Sequence, residues 1–280
     1  MIIKKNIVIE GAHKRSFLLD VFLKNNSSSL PLVIFCHGYK GFKDWGCWDL
    51  VAQRFAAADY CFIKFNFSHN GGTVENPIDF PDLNAFAENN YIKELTDLDV
   101  VINWLCSTEF PFAAHINTSN ISLIGHSRGG GIVTIKAAED HKIKNIVSWA
   151  GVSDYSTRFP KGEKLAEWKE LGVMYVENAR TKQQMPHNYQ FYENFKANES
   201  RLNIQSASEK LNIPHLIIHG NTDNSVSINE AKALHRWNSK SELCIIQRAN
   251  HVFGGNHPWK NKNLPDALGQ VVEKTIDFLK

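Results

Sequence analysis

The sequence predicts an α/β protein in which a mostly parallel, twisted sheet carries helices on both of its faces. Short apolar runs that suit buried strands alternate with longer segments of helical spacing, which is the pattern of βαβ units. One of these strands runs through a sharp glycine-rich turn directly into a helix. The chain has 280 residues, enough for one large domain with a sizeable core. We therefore expect residues 1–280 to form a single domain.

The predicted elements follow one another along most of the chain. Residues 6–10 and 16–23 predict an antiparallel edge hairpin, and a polar loop is expected at residues 25–29. The apolar run 32–36 is continuous, as expected for a strand that is buried on both faces. The later elements are strands over residues 60–65, 121–124, 144–150, 213–219 and 243–247, and helices over residues 45–58, 91–105, 227–237 and 264–279, with another helix from residue 128.

Residues 152–206 depart from this alternation, because they show no strand pattern. The segment is charged and rich in aromatic residues, which are Tyr155, Phe159, Trp168, Tyr175, Tyr189, Phe191, Tyr192 and Phe195. A structureless loop of this length is uncommon in a compact domain. We expect a helical insertion that forms a cap or lid over the functional site. The alternative is a helical insertion packed at the edge, without contact to the site.

Composition and charge exclude several classes of partner and compartment. A net charge of +2 without a dense Lys/Arg run does not favour nucleic acid or an anionic membrane. We find no pattern typical of a signal peptide or of a membrane span. The five cysteines are odd in number and lack C-x-x-C spacing, which predicts reduced thiols in a cytoplasmic protein. They are Cys36, Cys47, Cys61, Cys106 and Cys244.

The segment Gly125-His126-Ser127-Arg128-Gly129 is the most informative feature of the chain. A serine between two glycines, after a strand and before a helix, is typical of the nucleophile elbow G-x-S-x-G. Such a tight turn strains the serine backbone and leaves no room for a Cβ atom at positions 125 or 129. It also places the Ser127 hydroxyl at the N-terminus of a helix, where developing negative charge is stabilised.

A serine nucleophile needs a base, and the base needs an acid that orients it. In this architecture the chain order is serine, then acid, then histidine. Asp223 follows the carboxyl end of one predicted strand, and His251 follows the next strand, so we expect these two residues to complete the triad. Asp223 also suits a turn or a helix N-cap. Asp154 is the alternative acid, and His257 the alternative base.

Other histidines lie near strand ends and suit supporting roles. His37 and His219 are expected to hold loops in place. His215 and His219 share one face of a strand, but no third ligand accompanies them, so we predict no metal site. The proposed chemistry implies no cofactor.

An oxyanion hole needs two backbone N–H groups aimed at the developing charge. One should come from Arg128, directly after the nucleophile. The other is expected from Tyr39, in the loop His37-Gly38-Tyr39-Lys40-Gly41 that follows an earlier strand. The alternative is that Gly38 and Gly41 only form a turn.

Together these residues resemble the α/β-hydrolase superfamily of serine hydrolases, from about residue 30 to the end of the chain. The loop 37–45 and the segment Asn250-His251-Val252-Phe253 resemble esterases, dienelactone-hydrolase-like enzymes and the catalytic domains of prolyl-oligopeptidase-like enzymes. The nucleophile is Ser127, not the cysteine of dienelactone hydrolases. The oxyanion loop lacks the HGGG form of some lipases. No N-terminal propeller is expected, which argues against oligopeptidase activity.

The resemblance implies a serine hydrolase that cleaves a small-molecule carboxylic ester, with a short-chain or aromatic acyl group, through an acyl-enzyme. Candidate substrate-binding residues are Phe67, Trp149 and Tyr155, of which Trp149 equally suits core packing. Arg128 and Lys40 either favour an anionic substrate or point to solvent. A peptidase, a thioesterase or acyltransferase, and a non-catalytic binding module are the alternative functions.

Overall fold

A computed structural model describes residues 1–25 and 28–280. In this part of the chain eight strands form one sheet, and two further strands form a separate pair. The expected loop at residues 25–29 includes positions 26 and 27, which lie outside the described residues. The strands are β1 (Ile2–Ile9), β2 (Phe17–Leu23), β3 (Leu30–Cys36), β4 (Cys61–Phe65), β5 (Ile116–His126), β6 (Ile143–Trp149), β7 (Val173–Glu177), β8 (Gln184–Asn188), β9 (His215–Gly220) and β10 (Ser241–Ile246).

Helices cover both faces of the large sheet, as the sequence predicts. None of the described helices is long and apolar enough to cross a bilayer. The short helix α2 was not predicted. The helices are α1 (Trp48–Ala57), α2 (Leu83–Ala87), α3 (Tyr91–Leu105), α4 (Arg128–Glu139), α5 (Glu163–Leu171), α6 (Gln190–Ala197), α7 (Ile204–Lys210), α8 (Ile228–Trp237) and α9 (Asp266–Leu279).

The strand order of the large sheet is β1-β2-β4-β3-β5-β6-β9-β10. The first two pairings are antiparallel, which confirms the predicted edge hairpin, and all pairings from β4 to β10 are parallel. Cys36 pairs with Gly125, and Gly125 pairs with Ser148, so β3, β5 and β6 end at the same edge. Ligand sites of open parallel sheets form at this carboxyl edge.

Strand β3 shows why the central apolar runs are continuous. Leu32 and Ile34 belong to a core that also contains apolar residues of α3 and α4. Val33 and Phe35 belong to a second core, which contains apolar residues of α1 and α9. Because helices cover both faces of the sheet, successive residues of such a strand are all buried, and no polar alternation appears.

The insertion at residues 152–206 is mixed in structure, so the expectation of a purely helical segment was wrong. It contains α5, α6 and the antiparallel pair of β7 and β8. Strand β8 carries Pro186, which is typical of edge strands and weakens a strand prediction. Tertiary packing stabilises β8 instead, since Met185 is buried in an apolar cluster with Phe42, Phe80 and Phe86.

A buried ionic cluster joins the sheet to the segment that follows the loop at residues 37–41. Asp20 on β2, Lys64 on β4 and Lys43 have completely buried side chains. The Asp20 carboxylate is 2.8 Å from Lys43 Nζ and 2.6 Å from Lys64 Nζ, and Asp44 lies 2.6 Å and 2.8 Å from the same two ammonium groups. Buried charges are tolerated only when they are paired in this way.

We expect Lys64→Met to lower the free energy of unfolding by about 3–5 kcal/mol, because it leaves a buried carboxylate short of a partner. Urea denaturation followed by circular dichroism measures this change. Lys24→Met is the matched control, since Lys24 forms an exposed ion pair with Asp59, and it should cost less than about 1 kcal/mol. Equal losses in the two variants would contradict a stabilising role for the buried cluster.

The same cluster makes stability depend on pH. Burial alone would raise the pKa of Asp44, but Lys64 and Lys43 outweigh it and hold this pKa well below its ordinary value. The contribution of Asp44 to stability is therefore fully present above about pH 4, the value for an unfolded chain. It is lost as the pH falls from there towards the folded pKa.

Candidate active site

Ser127 lies between β5 and α4 in a strained backbone conformation, with φ of 56° and ψ of −119°. The two flanking glycines have no space for side chains. A Cβ atom at Gly125 would lie 2.2 Å from the Gly129 carbonyl oxygen, and one at Gly129 would lie 2.3 Å from the Cys36 oxygen. The Ser127 N–H donates to the Trp149 carbonyl at 2.9 Å, which ties the turn to β6. The local geometry is that of the predicted elbow.

Asp223 and His251 are brought together from the loops after β9 and β10. His251 Nδ1 is 2.8 Å from Asp223 Oδ2, and the Asp223 side chain is completely buried. Burial alone would raise the pKa of Asp223, but hydrogen bonds from His219, His251 and the Val226 N–H hold it well below its ordinary value. Asp223 is therefore a buried carboxylate that orients the imidazole of His251.

Ser127 and His251 line the same cavity. Among the described residues no hydrogen bond joins the Ser127 hydroxyl to His251. Such contacts are often long in enzymes without substrate and tighten in the complex. Ser127 and His251 thus open onto one cavity, and Asp223 lies on the Nδ1 side of the imidazole.

The alternative acid and base lie elsewhere. The Asp154 carboxylate accepts hydrogen bonds from the N–H and the hydroxyl of Ser156, at 2.7 Å and 2.8 Å, and borders a separate cavity. His257 Nδ1 accepts the Gly46 N–H at 2.9 Å, and its ring packs edge-on against Phe42. Neither residue contacts the pair formed by Asp223 and His251.

His37 and His219 hold loops, as their positions suggest. His37 Nδ1 donates to the Gly38 carbonyl at 2.9 Å, and Nε2 accepts the Phe67 N–H at 3.3 Å. His219 Nε2 lies 2.9 Å from the Val226 carbonyl, within the loop of Asp223. His215 Nε2 is 2.9 Å from the hydroxyl of a serine on β6. Each ring therefore has a structural contact of its own.

His126 is a site residue that sequence reasoning missed. Its Nε2 donates to the His251 carbonyl at 2.9 Å, and the two rings lie 4.9 Å apart. Burial, followed by the nearby His251, lowers the pKa of His126 to about 3, so the ring stays neutral. His126 positions the backbone of His251. The available signal was a polar residue at the buried end of β5, directly before Ser127.

Two backbone amides beside Ser127 are free to donate. Gly38 packs so closely that a Cβ atom there would lie 2.9 Å from Ser127 Cβ, and the Gly41 N–H closes the turn onto the Gly38 carbonyl at 3.0 Å. In residues 1–25 and 28–280, neither the Tyr39 N–H nor the Arg128 N–H donates to a protein acceptor. Both residues line the cavity with Ser127. This arrangement suits stabilisation of an oxyanion.

The cavity has a volume of about 520 Å³ and a largely aromatic wall. Tyr155 lines it, as predicted. The expectation that Phe67 and Trp149 line it was wrong, because both side chains are core residues. Phe67 is buried against Phe65, and Trp149 donates its indole N–H to Thr275 of α9 at 3.0 Å. Their strands do end at the site, but these side chains turn into the two cores.

The Arg128 side chain is itself part of the cavity wall and does not extend into bulk solvent. Its guanidinium lies 4.7 Å, 5.1 Å and 5.3 Å from the ring centres of Tyr39, Tyr91 and Phe191. Nη1 donates to Glu94 at 3.0 Å. Burial alone would lower the pKa of Arg128, but Glu94, Tyr91 and Tyr39 together outweigh it and raise this pKa.

Solved structures with low sequence identity share this fold. Est1E from Butyrivibrio proteoclasticus is 17% identical, with a TM-score of 0.69 over 98% of this chain and 96% of that chain. A putative hydrolase from Agrobacterium vitis S4 is 16% identical, with a TM-score of 0.74 over the whole of both chains. A dienelactone hydrolase from Anabaena variabilis is 18% identical, with a TM-score of 0.63 over 99% and 96%.

None of the curated proteins compared with the chain by sequence is significantly similar to it. Residues 51–266 match the sequence model of the Prolyl oligopeptidase family. This range is more than half of the chain, and it contains Ser127, Asp223 and His251. The sheet order, the elbow and the structural relatives agree with that match. The protein is therefore an α/β hydrolase and a member of the prolyl oligopeptidase family.

Proposed function

We propose that the protein is a serine hydrolase that cleaves carboxylic esters with Ser127, His251 and Asp223 as its catalytic triad. The observation that carries this proposal is the 2.8 Å contact between the buried Asp223 carboxylate and His251, in a cavity that His251 shares with Ser127. A carboxylate on Nδ1 keeps the proton there and leaves Nε2 free to act as a base.

The reaction follows from these positions. His251 removes the hydroxyl proton as Ser127 Oγ attacks the acyl carbon, and Asp223 stabilises the imidazolium that forms. The oxygen of the tetrahedral intermediate accepts hydrogen bonds from the Tyr39 and Arg128 N–H groups, each worth about 3 kcal/mol in such sites. The alcohol leaves with the proton from His251. Water then attacks the acyl-enzyme by the same route and releases the acid.

The wall of the cavity favours a short or aromatic acyl or alcohol group. The insertion contributes Phe159, Trp168, Met174 and Phe191 to it. Flat apolar walls of this kind bind rings and short chains. The structure of Est1E with ferulic acid bound, 19% identical with a TM-score of 0.69, supports testing aromatic esters in particular.

We also propose that residues 152–206 act as a lid over this site. Their apolar side chains form much of the cavity wall, with Phe159, Trp168, Met174 and Phe191 among them. His187 Nε2 and the Tyr39 hydroxyl form a hydrogen bond of 2.7 Å, and the Trp168 indole donates to the His187 carbonyl at 2.8 Å. The insertion thus contacts the loop of the proposed oxyanion hole. This contact favours the lid hypothesis and argues against the alternative of an insertion remote from the site.

Peptide hydrolysis is a second candidate, which the family itself favours. The same triad serves both reactions. An aminopeptidase needs carboxylates that bind the free amine of its substrate. Among the described residues no Asp or Glu lines the cavity, whereas Lys40, Arg128 and Arg158 do. This charge distribution supports the esterase proposal over an aminopeptidase.

A fluorophosphonate probe and a substrate panel test the proposal together. We expect the probe to label Ser127 in the native protein, identified by peptide mass spectrometry, and not in the heat-denatured control. The panel contains p-nitrophenyl esters of graded acyl length, aryl esters, a coenzyme A thioester and an aminoacyl anilide. Preferred turnover of esters supports the proposal. Anilide cleavage without ester turnover, or an unlabelled Ser127, would contradict it.

A further inference from the structure

The charged residues among those that line the cavity are all cationic. Lys40, Arg128 and Arg158 line it, whereas no Asp or Glu among the described residues does. A cavity that served only neutral esters would have no use for three cations beside the nucleophile, since polar groups covered by an apolar substrate lose their hydrogen bonds to water.

The carboxylates that pair with two of these cations lie outside the cavity. Glu94 of α3, which is 3% exposed, contacts Arg128. Glu230 pairs with Arg158 and borders a separate cavity. Among residues 1–25 and 28–280, Lys40 has no carboxylate partner, and its ammonium group donates only to the Glu177 carbonyl, at 3.3 Å. The wall therefore carries one uncompensated positive charge.

Arg128 is the most strongly fixed donor of this wall. Its guanidinium has five N–H groups, and within the described part of the chain one of them donates a hydrogen bond, to Glu94 at 3.0 Å. Three aromatic rings hold the guanidinium plane in place, so the side chain loses little rotamer freedom when it binds a ligand. Lys40 Nζ lies 5.1 Å from the ring of Tyr39, which Arg128 also contacts. The two cations therefore flank one side chain beside Ser127.

We propose that the substrate of this enzyme is an ester that carries a second, anionic group, a carboxylate, which binds the free N–H groups of Arg128 with Lys40 adding positive charge. This inference rests on the proposed esterase function. A carboxylate accepts two parallel hydrogen bonds from a guanidinium fork. A neutral group of the same shape leaves those donors without a charged acceptor. The recognition therefore selects for charge as well as for an apolar body.

A purely structural role for Arg128 makes a different prediction. In that case the pair with Glu94 only joins α3 to α4, and the charge of the substrate does not affect its turnover. Substrates matched in shape but not in charge separate the two roles, because a general structural defect lowers the rates of both substrates together.

The test compares monomethyl terephthalate with methyl 4-carbamoylbenzoate, and monomethyl adipate with its neutral monoamide, by chromatography at fixed ionic strength. We expect wild-type kcat/KM to favour the carboxylates by about tenfold or more. The double variant Arg128→Gln, Glu94→Gln leaves no unpaired buried charge and should bring this ratio close to one. Lys40→Met removes only the uncompensated charge and should lower the ratio by several-fold.

Arg201→Gln is the matched control, because Arg201 pairs with Glu139 at the surface and does not line the cavity. Its ratio should equal that of the wild type. A second readout does not depend on turnover or on the folding of the double variant. Calorimetry with Ser127→Ala should show tighter binding of terephthalate than of terephthalamide.

The outcomes separate this inference from the proposed function. Equal turnover of charged and neutral esters, or a ratio unchanged in both the double variant and Lys40→Met, would overturn the anion subsite and leave the esterase proposal intact. Failure to bind terephthalate in preference to terephthalamide would also overturn it. Absence of fluorophosphonate labelling together with absence of ester turnover would remove both proposals.

Discussion

Replacing Ser127 with alanine should lower kcat for the best ester of the panel by about a million-fold, the size of loss seen when a serine hydrolase loses its nucleophile. The methyl group of alanine cannot attack the acyl carbon, so no acyl-enzyme forms. Binding and the two backbone donors at Tyr39 and Arg128 remain, and they account for any residual rate over water. Initial rates at saturating substrate measure the change.

The fold should survive this substitution. Ser127 has φ of 56°, so the strain of the elbow persists in the alanine variant. Its hydroxyl makes no hydrogen bond within residues 1–25 and 28–280, so the substitution removes none there. We expect a melting temperature equal to that of the wild type or slightly higher. Ser156→Ala is the control, since its hydroxyl contacts only Asp154 in a surface turn. A Ser127→Ala variant with a few per cent of wild-type activity would assign the nucleophile elsewhere.

The elbow and the contact between Asp223 and His251 were predictable because their constraints are local or depend on chain order. The elbow requires glycines at positions 125 and 129, since a Cβ atom at either place would meet backbone atoms. Asp223 and His251 each follow directly after a strand, and the parallel register brings those strand ends to one edge. Alternation of strand and helix then predicted the fold class, which the structure confirms.

The wrong and missing predictions concern contacts between distant segments. Strand β8 has weak strand propensity and exists because Met185 packs onto Phe42, far away in sequence. Strand ends predicted that Phe67 and Trp149 would approach the site, but both side chains are buried, each in one of the two cores. No local pattern states which face of a strand meets a helix when both faces are apolar.

Arg128 shows the same limit at the site itself. Its position after Ser127 predicted the role of its backbone N–H but left open whether its side chain reaches solvent. Glu94 decides this, together with aromatic rings from the loop after β3, from α3 and from the insertion. Three segments far apart in sequence therefore define one charged wall, which only the folded chain reveals.

Asp223→Asn should lower kcat/KM by about ten-thousand-fold while the fold persists. The asparagine side chain is nearly the same size, but its amide can present N–H to His251 Nδ1. The imidazole proton then moves to Nε2, the atom that must be unprotonated to accept the proton of Ser127. The imidazolium that forms during the reaction also loses the negative charge that stabilises it. The pKa of Asp223 is held well below its ordinary value, so the wild-type carboxylate is ionised throughout the neutral range. An asparagine amide cannot ionise there, so raising the pH within that range should not restore the variant.

Asp154→Asn is the matched control for this substitution. Asp154 also follows a strand of the sheet, but among the described residues its carboxylate accepts hydrogen bonds only from Ser156, in a surface turn. We expect near-normal turnover and a change of less than about 1 kcal/mol in the free energy of unfolding. The pair of variants separates the two candidate acids directly. If Asp154→Asn were inactive and Asp223→Asn active, the contact between Asp223 and His251 would be a structural one, and the proposed triad would be wrong.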